Sequence, residues 1–461
     1  MQALTSDDVT LSVNPATGET LSVWPLAHAA HIEQALALAH AAAAQWRQFS
    51  LPQRAAALAN VARQLRMHQA GLARMITLEM GKPISEALAE VEKSAWNCDY
   101  VATQGPTWLQ DELVATQATD SRVAFEPLGV VLCILPWNFP VWQAFRCAAG
   151  ALMAVNVILL KHAPNVQGCA NMLVELLEAA GLPRGAFLNL NAPVDAVAGI
   201  IADRRVAAVT LTGSPVAGAK VAAQAGAACK KSVLELGGSD AFIVLADADL
   251  DAAVAAAVRA RFANCGQVCL AAKRFIVETA IAGDFAAAFA TAAAALRRGD
   301  PLQAGTQLGP MARADLRDAI EQQISASLAG GARLLTGGQR AQQPGWYYEP
   351  TVLADVTAAM PVFAQETFGP VAAVLTADSA QSAVALANDS PYGLSAMIWT
   401  RDIERARSMA GQLAVGSVFI NSVTASDPRL PVGGVKLSGY GRELGRSGML
   451  ELCNLKTIWV A

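Results

Sequence analysis

Three residues of this chain have the types and settings to do chemistry together. They are Cys269 in Phe262-Ala-Asn-Cys-Gly-Gln-Val-Cys269, Glu235 in Leu234-Glu235-Leu-Gly-Gly238, and Asn138 in Pro136-Trp-Asn138-Phe-Pro140. They supply a thiol, a carboxylate base and an amide donor. Oxidation of an aldehyde through a thioester needs that set: a nucleophile for the carbonyl carbon, a donor for the oxyanion, and a base for the water that releases the acyl group.

Each residue also has an ordinary explanation. A lone cysteine usually packs in a core. Here Gly266-Gln267 breaks the preceding helix and leaves the thiol at a loop or helix start. Backbone N–H groups in such a place lower a thiol pKa and donate to an oxyanion. Cys265, a helical turn away, reads as packing or as a redox partner. Glu235 ends an apolar strand, where a salt-bridged strand end is the bland reading. A buried carboxylate is costly, however, and a raised pKa suits a general base. The two following glycines let backbone and ligand approach closely. Asn138 is either turn chemistry or an amide aimed at a developing oxyanion.

No GxGxxG fingerprint is present, so the ordinary dinucleotide signal fails. Thr210-Leu-Thr-Gly213-Ser214 instead ends a strand and opens a helix, where a pyrophosphate can sit. Ser214 alone would serve equally as an N-cap. Lys161 ends the strand Val157–Leu160, where open α/β sheets place ligands; its ordinary reading is a solvated strand-end lysine.

Positioning these residues requires a regular scaffold. Helical spacing is expected over 31–48 and 52–79, with Leu58, Val61, Ala62 and Leu65 on one stripe. From Gly129 onward, short β-branched runs alternate with helical runs: Gly129–Leu135, Val157–Lys161, Ala207–Gly213, Ser232–Leu236 and Phe242–Leu245. A second series follows Cys269: Phe275–Glu278, Val371–Thr376, Leu394–Thr400 and Ser417–Asn421. The pattern is that of parallel sheets covered on both faces, in two α/β domains with a border near residue 237. Leu113–Glu126 reads as a protruding hairpin. The C-terminal Lys456–Val460 reads as a strand seeking an edge, from a second subunit among the choices.

Composition narrows the class. A chain of 461 residues favours two domains over one. A net charge of −4 without a run of one sign does not suggest a nucleic-acid binder. The stretch Cys147–Leu160 is too short and interrupted for a membrane span, and reads as a buried helix running into a buried strand. Met1–Asp8 shows no secretory pattern. Eight cysteines without a CxxC pair read as thiols in a reducing compartment, so cytoplasm is the default. The five histidines lack metal-ligand spacing, and no zinc site is expected.

Seven segments in order resemble the aldehyde dehydrogenase superfamily: Asn14–Glu19, Pro136–Pro140, Thr212–Ser214, Leu234–Gly238, Gly266–Cys269, Glu366–Pro370 and Gly433–Glu443. The resemblance covers nearly the whole chain. It implies a Rossmann-variant cofactor domain at 1–236 with an oligomerisation hairpin near 108–127. A catalytic thiol domain would follow at 237–437, and a returning segment at 438–461. It implies that Cys269 attacks the aldehyde, that the Asn138 amide and the Cys269 N–H hold the oxyanion, and that Glu235 activates water. It places Trp137, Asn138, Lys161, His162, Ala163, Pro164, Gly213, Ser214, Leu236, Glu366 and Phe368 against NAD or NADP, with Glu366 on the nicotinamide ribose. Homodimers or homotetramers are implied as well.

Two departures are informative. Many NAD-specific members carry a glutamate three residues after the lysine; here Pro164 stands there. A ribose hydrogen bond and a repulsion against a 2′-phosphate are both lost, so NADP should be accepted alongside NAD. Arg146 stands eight residues after Asn138, where succinate semialdehyde dehydrogenases carry a carboxylate-binding arginine. A second arginine that those enzymes often carry is replaced by Ala263. Arg146 alone would otherwise read as a surface or interface ion pair. Lys161-His-Ala-Pro-Asn165 and the compact length also resemble a bacterial-type succinate semialdehyde dehydrogenase subgroup. Glu235 argues against an acylating relative that uses coenzyme A. A cofactor-free thiol hydrolase is disfavoured because no histidine follows Cys269.

Overall fold

A computed structural model describes residues 8–461. The reading of the first seven residues as free of a leader lies outside the described residues.

Two parallel-rich sheets organise the chain. The first runs, in spatial order, Gly439–Tyr440, Lys231–Glu235, Val206–Thr212, Val130–Ile134, Val157–Lys161 and Phe187–Asn189. Its five sequential strands are parallel, and only the short Gly439–Tyr440 strand is antiparallel. In chain order these five strands stack as 3-2-1-4-5, so the direction of winding reverses between Val130–Ile134 and Val206–Thr212. Doubly wound sheets bind ligands at that reversal, beyond the carboxyl ends of the strands. Leu135–Asn138, Lys161 and Gly213-Ser214 all lie there.

The second sheet runs Arg333–Thr336, Thr351–Ala354, Val371–Ala377, Ala272–Glu278, Asp240–Val244, Ser395–Trp399 and Ser417–Ile420. All but the first strand are parallel. The strands Val157–Lys161, Asp240–Val244 and Ser395–Trp399 are buried at every residue. That explains their unbroken apolar runs: helices cover both faces. The chain crosses between sheets at Leu236–Ser239, immediately after Glu235. The carboxyl ends of the first sheet therefore face the amino ends of the second, where Cys269 precedes Ala272–Glu278.

Several elements differ from the sequence reading. The helix expected at 52–79 is two, Leu51–Met67 and Gln69–Met80, divided at His68, although Leu58, Val61, Ala62 and Leu65 are fully buried as a stripe. The helix Ile84–Trp108 escaped notice, since its buried stripe of Ala87, Val91, Ala95 and Cys98 is small and interleaved with charge. Of the two settings expected for Cys269, a loop or a helix start, the structure has the loop: a turn that leads into a strand. The C-terminal strand Cys453–Val460 pairs with Asp120–Pro127 of its own chain, forming a three-stranded sheet with Glu112–Leu113. Cys147–Leu160 is the expected buried helix, Trp142–Met153, running into Val157–Lys161.

Candidate active site

The turn carrying Asn138 is fixed from below by the helix Ile84–Trp108 and by Lys82, two residues ahead of it. The Lys82 ammonium, fully buried, pairs with Glu90 and donates to the Asn138 carbonyl at 2.9 Å. It also lies over the Phe139 ring, 3.6 Å from its centroid. The other Glu90 oxygen accepts the Val141 and Trp142 N–H groups at 2.9 and 3.0 Å. A carboxylate there caps the first turn of Trp142–Met153 and complements its dipole. Asn138 itself is buried, with Oδ1 taking the Gln143 amide at 3.0 Å. That bond settles which way the amide faces: Nδ2 donates to the Gln267 carbonyl at 2.9 Å, two residues from Cys269.

The nucleophile loop is strained and heavily tied. Asn264, Cys265 and Gly266 occupy consecutive left-handed conformations, with φ of 52°, 55° and 71°. Side chains avoid that region, so the surroundings must enforce it. The Arg261 guanidinium, wholly buried, donates to the Ala272 carbonyl at 3.0 Å, to Gly369 at 2.7 Å and to Gly266. A Cβ at residue 266 would strike the Gly369 carbonyl and Arg261 itself. Glu86 accepts the Asn264 N–H at 2.7 Å. Lys273 donates to the carbonyls of Val268 and Cys269 at 3.1 and 2.8 Å. Its ammonium also stands 3.4 Å from Glu366. The Cys269 N–H has no acceptor among the described residues, so it is available as an oxyanion donor.

Electrostatics set the resting state. Burial pushes the Cys269 thiol up to about 11, and nearby Arg146 and Lys273 only partly oppose this. The expectation that the loop would lower this thiol is therefore corrected: desolvation outweighs the local positive charge. Glu235 is buried at the end of its strand and pushed up to about 8, first by burial and also by Glu443, against Arg146. Its Oε1 has no hydrogen-bond partner and its Oε2 stands 3.8 Å from Arg146. An unpaired buried carboxylate oxygen costs free energy in a purely structural role. In a base it is the atom that must meet water.

Arg146 is buried too. Its Nε pairs with Glu443, and Nη2 donates to Thr212 at 3.2 Å. Burial opposes its charge, but Glu443 and Glu235 more than offset that and hold it above its ordinary value. Arg146 and Cys269 line one cavity of about 630 Å³, with Lys93, Phe139, Trp142, Gln143 and Ser426 on its walls. Glu235 does not line that cavity. It meets Cys269 through charge, from the side of the first sheet.

The residues assigned to a cofactor gather around the winding reversal. Ser214 is the N-cap of Pro215–Ala227, with Oγ accepting the Ala217 N–H at 3.3 Å, and Gly213 precedes it. The ordinary reading of Ser214 thus holds, and it also leaves a helix amino end open beside the strand. Lys161 closes its strand and Pro164 opens a short 3₁₀ turn, exposed. His162 turns inward: one ring nitrogen lies 2.9 Å from the Pro140 carbonyl and the other accepts the Ala163 N–H at 2.9 Å. Burial pushes this ring down to about 4, so it is neutral and structural. Trp137 and Phe368 meet edge to face, centroids 5.8 Å apart, from opposite sides of the cleft. Glu366 accepts the Gly238 N–H at 3.0 Å, and a Cβ at Gly237 would collide with it. Leu236 packs on Gly218, where any side chain would clash. A cradle of glycines, a helix amino end and an aromatic pair fits a dinucleotide.

The model of the aldehyde dehydrogenase family matches residues 4–458. The chain belongs to the aldehyde dehydrogenase family. As a member it is an aldehyde oxidoreductase. It is 53% identical over 449 residues to the succinate semialdehyde dehydrogenase Sad of Escherichia coli K12, named for NAD(P)+, covering 97% of each chain. It is 47% identical to a probable NADP(+) succinate-semialdehyde dehydrogenase of Synechocystis, covering 98% of this chain and 99% of that one. Among solved structures, succinic semialdehyde dehydrogenase from Streptococcus pyogenes with NADP+ superposes with a TM-score of 0.96 at 36% identity, over 98% of this chain and 99% of that one. These likenesses place the aldehyde dehydrogenase fold across both sheets.

Sequence reasoning missed the supports. Glu86, Glu90 and Lys93 recur at i, i+4 and i+7 and so share one helix face. That spacing was the available signal. Lys82, Arg261 and Lys273 gave none, because their partners are backbone carbonyls or distant carboxylates; Glu443 closes the segment Gly433–Glu443, but nothing there shows that Arg146 is its partner.

Proposed function

We propose that the protein oxidises a short aldehyde bearing a distal carboxylate, with succinate semialdehyde as the best fit, to the acid through a Cys269 thioester, using NAD or NADP. The observation that supports this most is the shared cavity of Cys269, Arg146 and Lys93, a thiol with cations on its walls. The curated relatives above carry that activity in their names.

The residues divide the work as follows. Cys269 loses its proton and attacks the aldehyde carbon. The Asn138 amide, held by Gln143, and the Cys269 N–H receive the oxyanion. The nicotinamide, when bound, supplies the hydride acceptor. Trp137, Lys161, Ala163, Pro164, Gly213, Ser214, Leu236, Glu366 and Phe368 would hold it, with His162 supporting from behind. Glu235 then takes a proton from water, which attacks the thioester carbon and expels the Cys269 sulfur. Arg146 adds positive potential at the cavity while balancing Glu443 and Glu235.

Pro164, exposed where an NAD-selecting glutamate would stand, supports NADP use. A preference for NAD above roughly a thousandfold in kcat/KM, about 4 kcal/mol, would count against it. A second copy of the chain is the expected cover for the sheet Glu112–Leu113, Asp120–Pro127 and Cys453–Val460. Leu113, Leu455 and Trp459 lie exposed on it, which supports a homodimer or homotetramer. Eight free cysteines support a reducing compartment, the cytoplasm. Among the described residues no helix is long and apolar enough to cross a membrane.

The test is a panel of semialdehydes and neutral aldehydes run with both dinucleotides. The reading expects the highest kcat/KM for succinate semialdehyde. Equal values for butanal would overturn the substrate assignment while leaving aldehyde oxidation standing.

A further inference from the structure

Arg146 is an incomplete anchor for a carboxylate. Its Nε is paired with Glu443 and its Nη2 with Thr212 and, more loosely, Glu235. Only 3% of the side chain is exposed. A substrate carboxylate would have to share a guanidinium that already balances two carboxylates.

Lys93 presents the opposite situation. It reaches the same cavity from the helix Ile84–Trp108, half-buried. Its ammonium donates to Ser426 Oγ at 2.8 Å and lies 4.4 Å from the centre of the Trp142 ring. Among the described residues it forms no ion pair with a carboxylate. Burial, and then Arg146, push it down to about 8, and the charges of Asp427 and Glu90, neither within ion-pair distance, only partly oppose this. The Trp142 indole also donates to Ser426 Oγ, at 3.1 Å. With two donors on its oxygen, the Ser426 hydroxyl must direct its own proton elsewhere, and no protein acceptor receives it. Two ammonium protons and one hydroxyl proton are thus left over on one wall of the cavity. The other cations there are placed differently: Arg259 is exposed, and Arg297 donates to the Gly305 carbonyl at 2.8 Å.

We propose that Lys93, steered by Trp142 and Ser426, is the specificity-determining residue that directly receives the substrate's distal carboxylate in the Cys269 cavity. This rests on the substrate reading above. An ammonium fits the role because its three donors are not fixed in a plane, so it can hold Ser426 and still reach a carboxylate.

The experiment compares wild type, Lys93→Met and Lys93→Arg on succinate semialdehyde and on butanal at saturating NADP. Thermal melting of each variant checks folding. The proposal expects Lys93→Met to raise KM for succinate semialdehyde by about 10- to 100-fold, the effect of one charge-assisted hydrogen bond. It expects kcat to stay within about threefold, butanal kinetics to be unchanged, and Lys93→Arg to recover most of the loss. If wild type prefers succinate semialdehyde and Lys93→Met keeps that preference, the proposal fails and the substrate reading stands. Equal losses on both aldehydes would show a structural role and also overturn it. If wild type does not discriminate between the aldehydes, the substrate reading fails and the proposal falls with it.

Discussion

Replacing Glu443 by Gln should move the pH at which the acyl-enzyme is hydrolysed. Glu235 acts as a base only when ionised, so kcat limited by hydrolysis rises with pH through its pKa and levels off above it. Burial holds that pKa up to about 8, Arg146 lowers it and Glu443 raises it. The substitution removes the carboxylate that raises it and also releases the Arg146 Nε. Arg146 already stands 3.8 Å from Glu235. Two unit charges about 4 Å apart attract by about 4 kcal/mol at an effective dielectric of about 20. If the lost Glu443 repulsion and the freed Arg146 charge together change the balance by a third of one such pair, about 1.4 kcal/mol, the midpoint falls by about one unit. At pH 7 the ionised fraction of Glu235 then rises from about one tenth to about one half, and kcat by about fivefold. The assay is kcat for saturating aldehyde across the pH range. A pre-steady-state burst of reduced dinucleotide must first show that hydrolysis limits turnover. A midpoint that stays put or moves up would refute the assignment of Glu235 as base and of Arg146 and Glu443 as its tuning pair.

Asn138→Ala should lower kcat/KM by about 10²–10³ with KM little changed, because the amide acts on the oxyanion rather than on bound aldehyde; steady-state kinetics decide it. Lys82→Met should destabilise the fold by about 3–5 kcal/mol, measured by denaturant unfolding, since it strands the buried Glu90 carboxylate. Gly266→Ala should cut the burst amplitude sharply, because φ of 71° and the Gly369 carbonyl exclude a Cβ and the nucleophile loop must shift.

The sheets were legible in the sequence because buried parallel strands announce themselves as unbroken β-branched runs, as in Val157–Lys161. Their order was not, since the 3-2-1-4-5 winding that makes the cofactor crevice leaves no local trace. Cys269, Glu235 and Asn138 were readable because glycines and prolines flank them and fix their settings. What tunes them was hidden. Arg146 looked like a substrate ligand only through its likeness to the arginine of succinate semialdehyde dehydrogenases, while its pairing with Glu443, nearly three hundred positions away by number, is purely tertiary. The thiol was expected to be acidified by its loop, and burial reversed the sign. Lys93 shows in the sequence only as part of a helix face shared with Glu86 and Glu90, and the cavity alone reveals that no carboxylate forms an ion pair with it.

The central claim is an acyl group carried on one sulfur. Acid-quenching the enzyme during turnover with aldehyde and dinucleotide, then mapping peptides by mass spectrometry, tests it directly. The account predicts an acyl adduct on Cys269 that accumulates further in Glu235→Gln and vanishes in Cys269→Ser together with turnover. An adduct confined to Cys265, or a Cys269→Ser enzyme that reduces dinucleotide at the parental rate, would contradict it.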